Sequence, residues 1–167
     1  MQKLHHVLAW LACIAVLAAA GCGYRPLYGT AGDDRGVVAA LASVSIPEAD
    51  TRLGQIVRSD LLSAMRPAGT GTQDRYILVL RPEVKTASII DKPLPNITRR
   101  SVQVVVNFEL TGSDGVLHSG KTFSQVSYDL VREPFADMQA ETNAMERAAH
   151  EVSMDIRSRL AAYFASH

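Results

Sequence analysis

Ser101-Val102-Gln103-Val104-Val105-Val106-Asn107-Phe108-Glu109-Leu110, followed by Thr111-Gly112-Ser113-Asp114-Gly115, is the stretch that decides the fold. Val102, Val104, Val106, Phe108 and Leu110 alternate with Gln103, Val105, Asn107 and Glu109. Period two means a strand with one face in a core. Two glycines within the next five residues mark a hairpin turn. The return strand is then Val116 to Leu130, with Val126, Tyr128 and Leu130 on one face and a break expected near Gly120.

Working outward toward the N-terminus, Tyr76 to Val84 reads as another strand, with Tyr76, Leu78, Leu80 and Val84 on one face and Ile77, Val79, Arg81 and Glu83 on the other. Pro82 inside it predicts an edge position or a bulge. The run can continue through Ile89 and Ile90 before the loop Asp91-Lys92-Pro93-Leu94-Pro95-Asn96. Leu53, Ile56, Val57, Leu61, Ala64 and Met65 fall on one face of a helix over about 51–66, with Asp50 or Thr51 as its cap and Pro67-Ala68-Gly69 as its stop. Residues 41–47, ended by Pro47, read as the first strand, and residues 30–36 as a charged loop or tether.

Toward the C-terminus, Pro134 or Asp137 opens a long helix that runs to about Ala165. Its expected core stripe is Met138, Met145, Ala149, Val152, Ile156, Leu160 and Tyr163. The order is strand, helix, strand, strand, strand, helix. A strand–helix–strand unit favours a parallel pair joined by a right-handed crossover, and the hairpin adds an antiparallel one. The expected fold is α+β: a two-layer sandwich with two helices on one face of a mixed four-stranded sheet. The other face must then meet solvent or a partner.

The first residues carry a different message. Lys3, His5 and His6 precede an apolar run from Val7 to Ala20, and Ala19-Ala20-Gly21-Cys22 follows. A basic start, a short apolar run and small residues at its end make a secretory signal peptide. The run is shorter than the roughly 20 residues a spanning helix needs. Small residues immediately before a cysteine suit lipoprotein processing, in which the Cys22 thiol is acylated and becomes the new N-terminus. The usual Leu three residues before the cysteine is Ala19 here, with Leu17 two places earlier. The expected organisation is a signal peptide at 1–21, a lipidated tether at 22–36 and one sandwich domain at 37–167.

The chain has two cysteines, Cys13 and Cys22. If the first leaves with the signal and the second carries lipid, the mature chain has no disulfide and no thiol nucleophile. The 146 residues from Cys22 onward suffice for one domain with a substantial core. Without Lys3 there are 16 basic against 17 acidic residues, so bulk charge gives no reason to expect nucleic-acid binding. Neither a Gly-x-Ser-x-Gly elbow nor a His-Glu-x-x-His motif occurs, and no glycine loop leads into a helix to cradle phosphate. His118, His150 and His167 each read best as surface histidines, and Asn96-Ile97-Thr98 as an accidental glycosylation sequon. The expectation is a protein that is not an enzyme and needs no cofactor or metal.

Cys22-Gly23-Tyr24-Arg25-Pro26-Leu27-Tyr28-Gly29 resembles the mature start of the lipopolysaccharide-assembly lipoprotein (LptE) family in its alphaproteobacterial form. Arg157-Ser158-Arg159-Leu160-Ala161-Ala162-Tyr163-Phe164 is similar to that family's helix end. Between these two motifs the match is one of element order. The resemblance implies the same helix-on-sheet sandwich and a place in the outer-membrane lipopolysaccharide translocon. There the lipoprotein plugs the lumen of the LptD β-barrel, supports its assembly and binds lipopolysaccharide. Gly23 rather than Asp follows the cysteine, which favours sorting to the outer membrane over inner-membrane retention. The expected location is the periplasmic face of that membrane.

One local basic cluster could serve such a role: Lys85, Lys92, Arg99 and Arg100, with Arg81 nearby. These residues flank the proline loop and suit phosphate or carboxylate groups, because Arg presents a bidentate fork. The same charges could equally be a solvated strand end that discourages strand addition. A rival reading of the whole chain is a lipid-anchored periplasmic lipid carrier or enzyme.

Overall fold

A computed structural model of the chain describes residues 34–66, 73–88, 99–130 and 132–167. Its elements are α1 (Asp34–Ala42), β1 (Val44–Ser45), α2 (Arg52–Met65), β2 (Tyr76–Ser88), β3 (Arg99–Gly112), β4 (Gly115–Asp129) and α3 (Pro134–Ser166). The fold is α+β, with a mixed sheet in the order β1-β2-β3-β4. β1 runs parallel to β2, as the strand–helix–strand unit predicts, and the two remaining pairs are antiparallel.

The β3–β4 hairpin is the frame. Val102, Val104, Val106, Phe108 and Leu110 are all buried, as the alternation requires. Leu78 pairs with Leu110 and Leu80 with Phe108 on the same face. Gly115 closes the turn with a φ of 113°, a conformation that glycine adopts without steric cost. The break expected near Gly120 is absent: β4 is continuous. Gly120 lies opposite Phe108, and a Cβ there would meet the ring at 2.7 Å. The glycine makes room for the aromatic instead of interrupting the strand.

Two corrections concern the front of the domain. The strand expected over 41–47 shrinks to Val44–Ser45, and residues 34–42 form a helix. Val37 and Leu41, four apart, are buried on the face that packs against α3, and Ala39, Ala40 and Ala42 favour the helix. Residues 34–36, read as the end of a charged loop, belong to it. The layer therefore holds three helices among the described residues rather than two.

α2 begins where expected. The Thr51 hydroxyl caps it by accepting from the Gly54 N–H at 3.1 Å. Leu53, Val57, Leu61 and Met65 are buried. Arg58 Nε donates to the carbonyls of Ile46 and Pro47 at 3.0 and 3.1 Å, tying the helix to the exit of β1. Arg66 ties its other end down, donating to the Val44 carbonyl at 2.9 Å and pairing with Asp74. Pro82 lies on β2 where β1 no longer pairs, at an edge of the ladder where a missing N–H costs little.

α3 has 33 residues, about 50 Å at 1.5 Å per residue, and lies over β3 and β4 beside α1 and α2. Its buried face is Ala144, Ala148, Ala149, Val152, Ser153, Ile156, Leu160 and Ala161. Met138, expected in the stripe, is 58% exposed. At that end Asp137 and Glu141 turn toward the sheet, toward Arg100 and Thr86, and Met138 points away. Small alanines then let the helix approach closely. No helix among the described residues is long and apolar enough to cross a membrane.

One buried polar atom stands out in this layer. The Tyr128 hydroxyl has no hydrogen-bond partner among the described residues. A buried donor left unpaired is destabilising by about 1–3 kcal/mol. Tyr128→Phe is therefore expected to leave stability unchanged or raise it by about 1 kcal/mol. Chemical denaturation decides this: a loss above about 1 kcal/mol would mean that the hydroxyl has a partner in the folded chain.

Candidate functional site

The helices cover only one face of the sheet. On the open face Glu83, Val105 and Phe123 share one rung across three strands. Arg81, Asn107 and Lys121 share the next, and Lys85, Gln103 and Gln125 the one on the other side. Phe123 is 65% exposed and Ile77 49%, so apolar side chains stand among the charges. Arg81, Lys85 and Lys121 thus surround Glu83 and Phe123. Lys121 was not among the residues singled out from the sequence. Only the strand register places it on the same rung as Arg81, with Asn107 between them.

The register separates the expected basic cluster. Arg99 and Arg100 are adjacent in β3 and therefore project to opposite faces. Arg99 lies on the open face, where its Nε reaches Asp129 Oδ1 at 3.2 Å in an exposed pair. Arg100 turns to the helix side, and its Nη1 lies 3.5 Å from Asp137 Oδ2 in the first turn of α3. An acid there also complements the helix dipole. Arg100 thus fastens α3 to the sheet. Lys85 is opposite Gln103, four residues along β3 from Arg99, which is about 13 Å. Lys85 has no carboxylate partner among the described residues. Lys92, the sequon and Cys22 lie outside the described residues.

A groove of about 770 Å³ lies between α2 and α3, lined by Ile56, Asp60, Asn143, Glu146, Arg147, His150 and Glu151. His150 Nδ1 lies 3.4 Å from Asp60 Oδ2 across it. Arg52 reaches Glu146 at 3.9 Å. These pairs link the two helices. No group of three or more His, Cys, Asp or Glu side chains among the described residues is placed to hold a metal.

His118 departs from its surface reading. It is half-buried, stacks on Tyr163 at 5.3 Å between ring centroids and tilts against Phe108 at 5.8 Å. Tyr163 also meets Phe164 and His167, and Phe164 packs on Tyr76. This aromatic cluster pins the end of α3 to the sheet near the β3–β4 turn. Its members are scattered in sequence, so no local motif announced it.

No family model matches the chain, and no curated protein sequence does. Solved structures do match. A protein from Caulobacter crescentus CB15 inferred to be a lipoprotein aligns at a TM-score of 0.65 and 26% identity, over 80% of this chain and 98% of that one. A minor lipoprotein from Acinetobacter baumannii aligns at 0.51 and 13%, over 71% and 88%. The fold is one that bacterial lipoproteins share. The Acinetobacter likeness is one of fold alone. Rare lipoprotein B from Shewanella oneidensis aligns at 0.46 and 17%, over 74% and 92%, too distant to carry argument.

Proposed function

We propose that the chain is an outer-membrane lipoprotein of the lipopolysaccharide transport and assembly complex, held at the periplasmic face by lipid on Cys22. Its role is to plug a large LptD-type β-barrel and support its assembly. It acts as a rigid partner and not as an enzyme. The observation that carries this reading is the open face of the sheet. A domain that covers one face with helices and leaves Arg81, Lys85, Glu83, Asn107, Lys121 and Gln125 on the other can meet the polar lumen of a barrel. The lipoprotein fold and the processing sequence before Cys22 support the same reading.

Lipopolysaccharide contact is assigned to Lys85 and Arg99, which lie on the open face, and to Lys92, which lies outside the described residues. Replacing all three with Glu reverses their charges, and Lys85 and Arg99 are both exposed, away from the buried face. Binding of purified lipopolysaccharide is expected to fall by about tenfold, equivalent to ~1.4 kcal/mol. Wild-type binding should itself weaken with salt, because exposed charges are screened within about 8 Å at physiological ionic strength. A folded triple variant that binds as wild type would leave these residues a solubilising role only. Unchanged lipopolysaccharide binding with loss of the barrel would assign them to the barrel.

A further inference from the structure

The sheet has two edges, and they differ. The outer edge of β2 carries Pro82 at its middle, and the chain from Ile46 to Thr51 runs beside it to the start of α2. A proline and a covering segment are the usual guards of an edge. β4 has neither. It runs 15 residues from Gly115 to Asp129 without proline, pairs only with β3, and its one register irregularity lies at its start, opposite Leu110 and Thr111. Among the described residues nothing pairs with its other side.

The surroundings of that edge define what could pair with it. On the helix side Ser124 donates to Glu151, and Thr122 donates to Asp155 at 2.5 Å, so two α3 carboxylates border the strand at its centre. Asp155 is shared with Arg159 at 2.8 Å, and Glu151 carries the net negative charge. On the open face Phe123 is exposed between them, next to Lys121. A second copy docked antiparallel about the centre of β4 would set Glu151 and Asp155 against the same carboxylates, which is repulsive. A strand with basic residues facing α3 and an apolar residue beside Phe123 meets attraction on both faces.

We propose that the β4 edge is a docking site for an extended segment of another protein, with the pattern basic–apolar–basic across Thr122, Phe123 and Ser124. Backbone hydrogen bonds along β4 supply affinity, and the alternating side chains supply selectivity. This stands independently of the barrel reading.

The test uses the full chain in detergent and an end-blocked ten-residue peptide alternating lysine with valine, with a glutamate–valine peptide as control. Hydrogen exchange reads the edge directly. In the free chain every second amide of β4 is paired to β3 and slow, and the others are fast. The lysine peptide is expected to slow those fast amides at least tenfold over residues 118–126. Glu151→Lys is expected to lower its affinity at least fivefold and raise that of the glutamate peptide, with the melting temperature confirming a folded variant. Absence of binding, or binding without slower exchange in β4, overturns the proposal. So does a Glu151→Lys variant with unchanged preference. Outward amides already slow without peptide overturn it as well. Recovery of fast exchange on dilution then names a second copy as the occupant, and recovery on deletion of residues 23–33 names the chain's own leading segment.

Discussion

Ile156→Asp is expected to unfold the domain at physiological temperature. Ile156 is fully buried at the centre of the α3 stripe, in the core that Val57, Leu61, Val104 and Val106 share. The described residues of that cluster are apolar, so a carboxylate would be desolvated without a partner, at a cost of several kcal/mol. A domain of this size is stable by only about 5–15 kcal/mol. Arg147, nine residues earlier and exposed, is the control: Arg147→Ala should change stability by less than about 0.5 kcal/mol. Circular dichroism melts of the two variants decide the matter. Equal melting temperatures would refute the assigned face of α3.

Phe108→Ala is the second large effect, about 3–5 kcal/mol. The ring is 2% exposed and lies across Gly120, which has no side chain to move into the vacated space. His118 and Tyr163 stack in sequence beyond the ring, so the cavity would open beneath the cluster that holds the end of α3. Phe108→Leu should cost less, because a smaller void remains. Urea titration reads the difference through the midpoint. A Phe108→Ala loss below about 1 kcal/mol would mean that the aromatic cluster contributes little to the fold.

The hairpin was legible in the sequence because its signal is local. Five apolar residues at alternate positions can only face one way, and Gly112 and Gly115 lie where the chain must reverse. α2 was legible for the same reason, with its cap narrowed to Asp50 or Thr51; the structure gives the role to Thr51. α1 was not, because Val37, Leu41, Val44 and Ile46 form one apolar run that suits a strand as well as a short helix. Packing of Val37 and Leu41 against α3 decides between them. The face of α3 near Met138 was misjudged because hydrophobicity says what can be buried, and the reach of the sheet says what is. The separation of Arg99 from Arg100 follows from the period of a strand. The common rung of Arg81, Asn107 and Lys121, and the contrast between the two sheet edges, required the strand order.

The proposed partnership with a β-barrel is tested by pull-down of a tagged copy of the chain from native outer membranes, with the stoichiometry of the recovered complex. Recovery from the membrane fraction in a stable one-to-one complex with a large β-barrel protein is expected. Recovery of a monomer, whether from the soluble periplasm or with lipid as its sole companion, would contradict it.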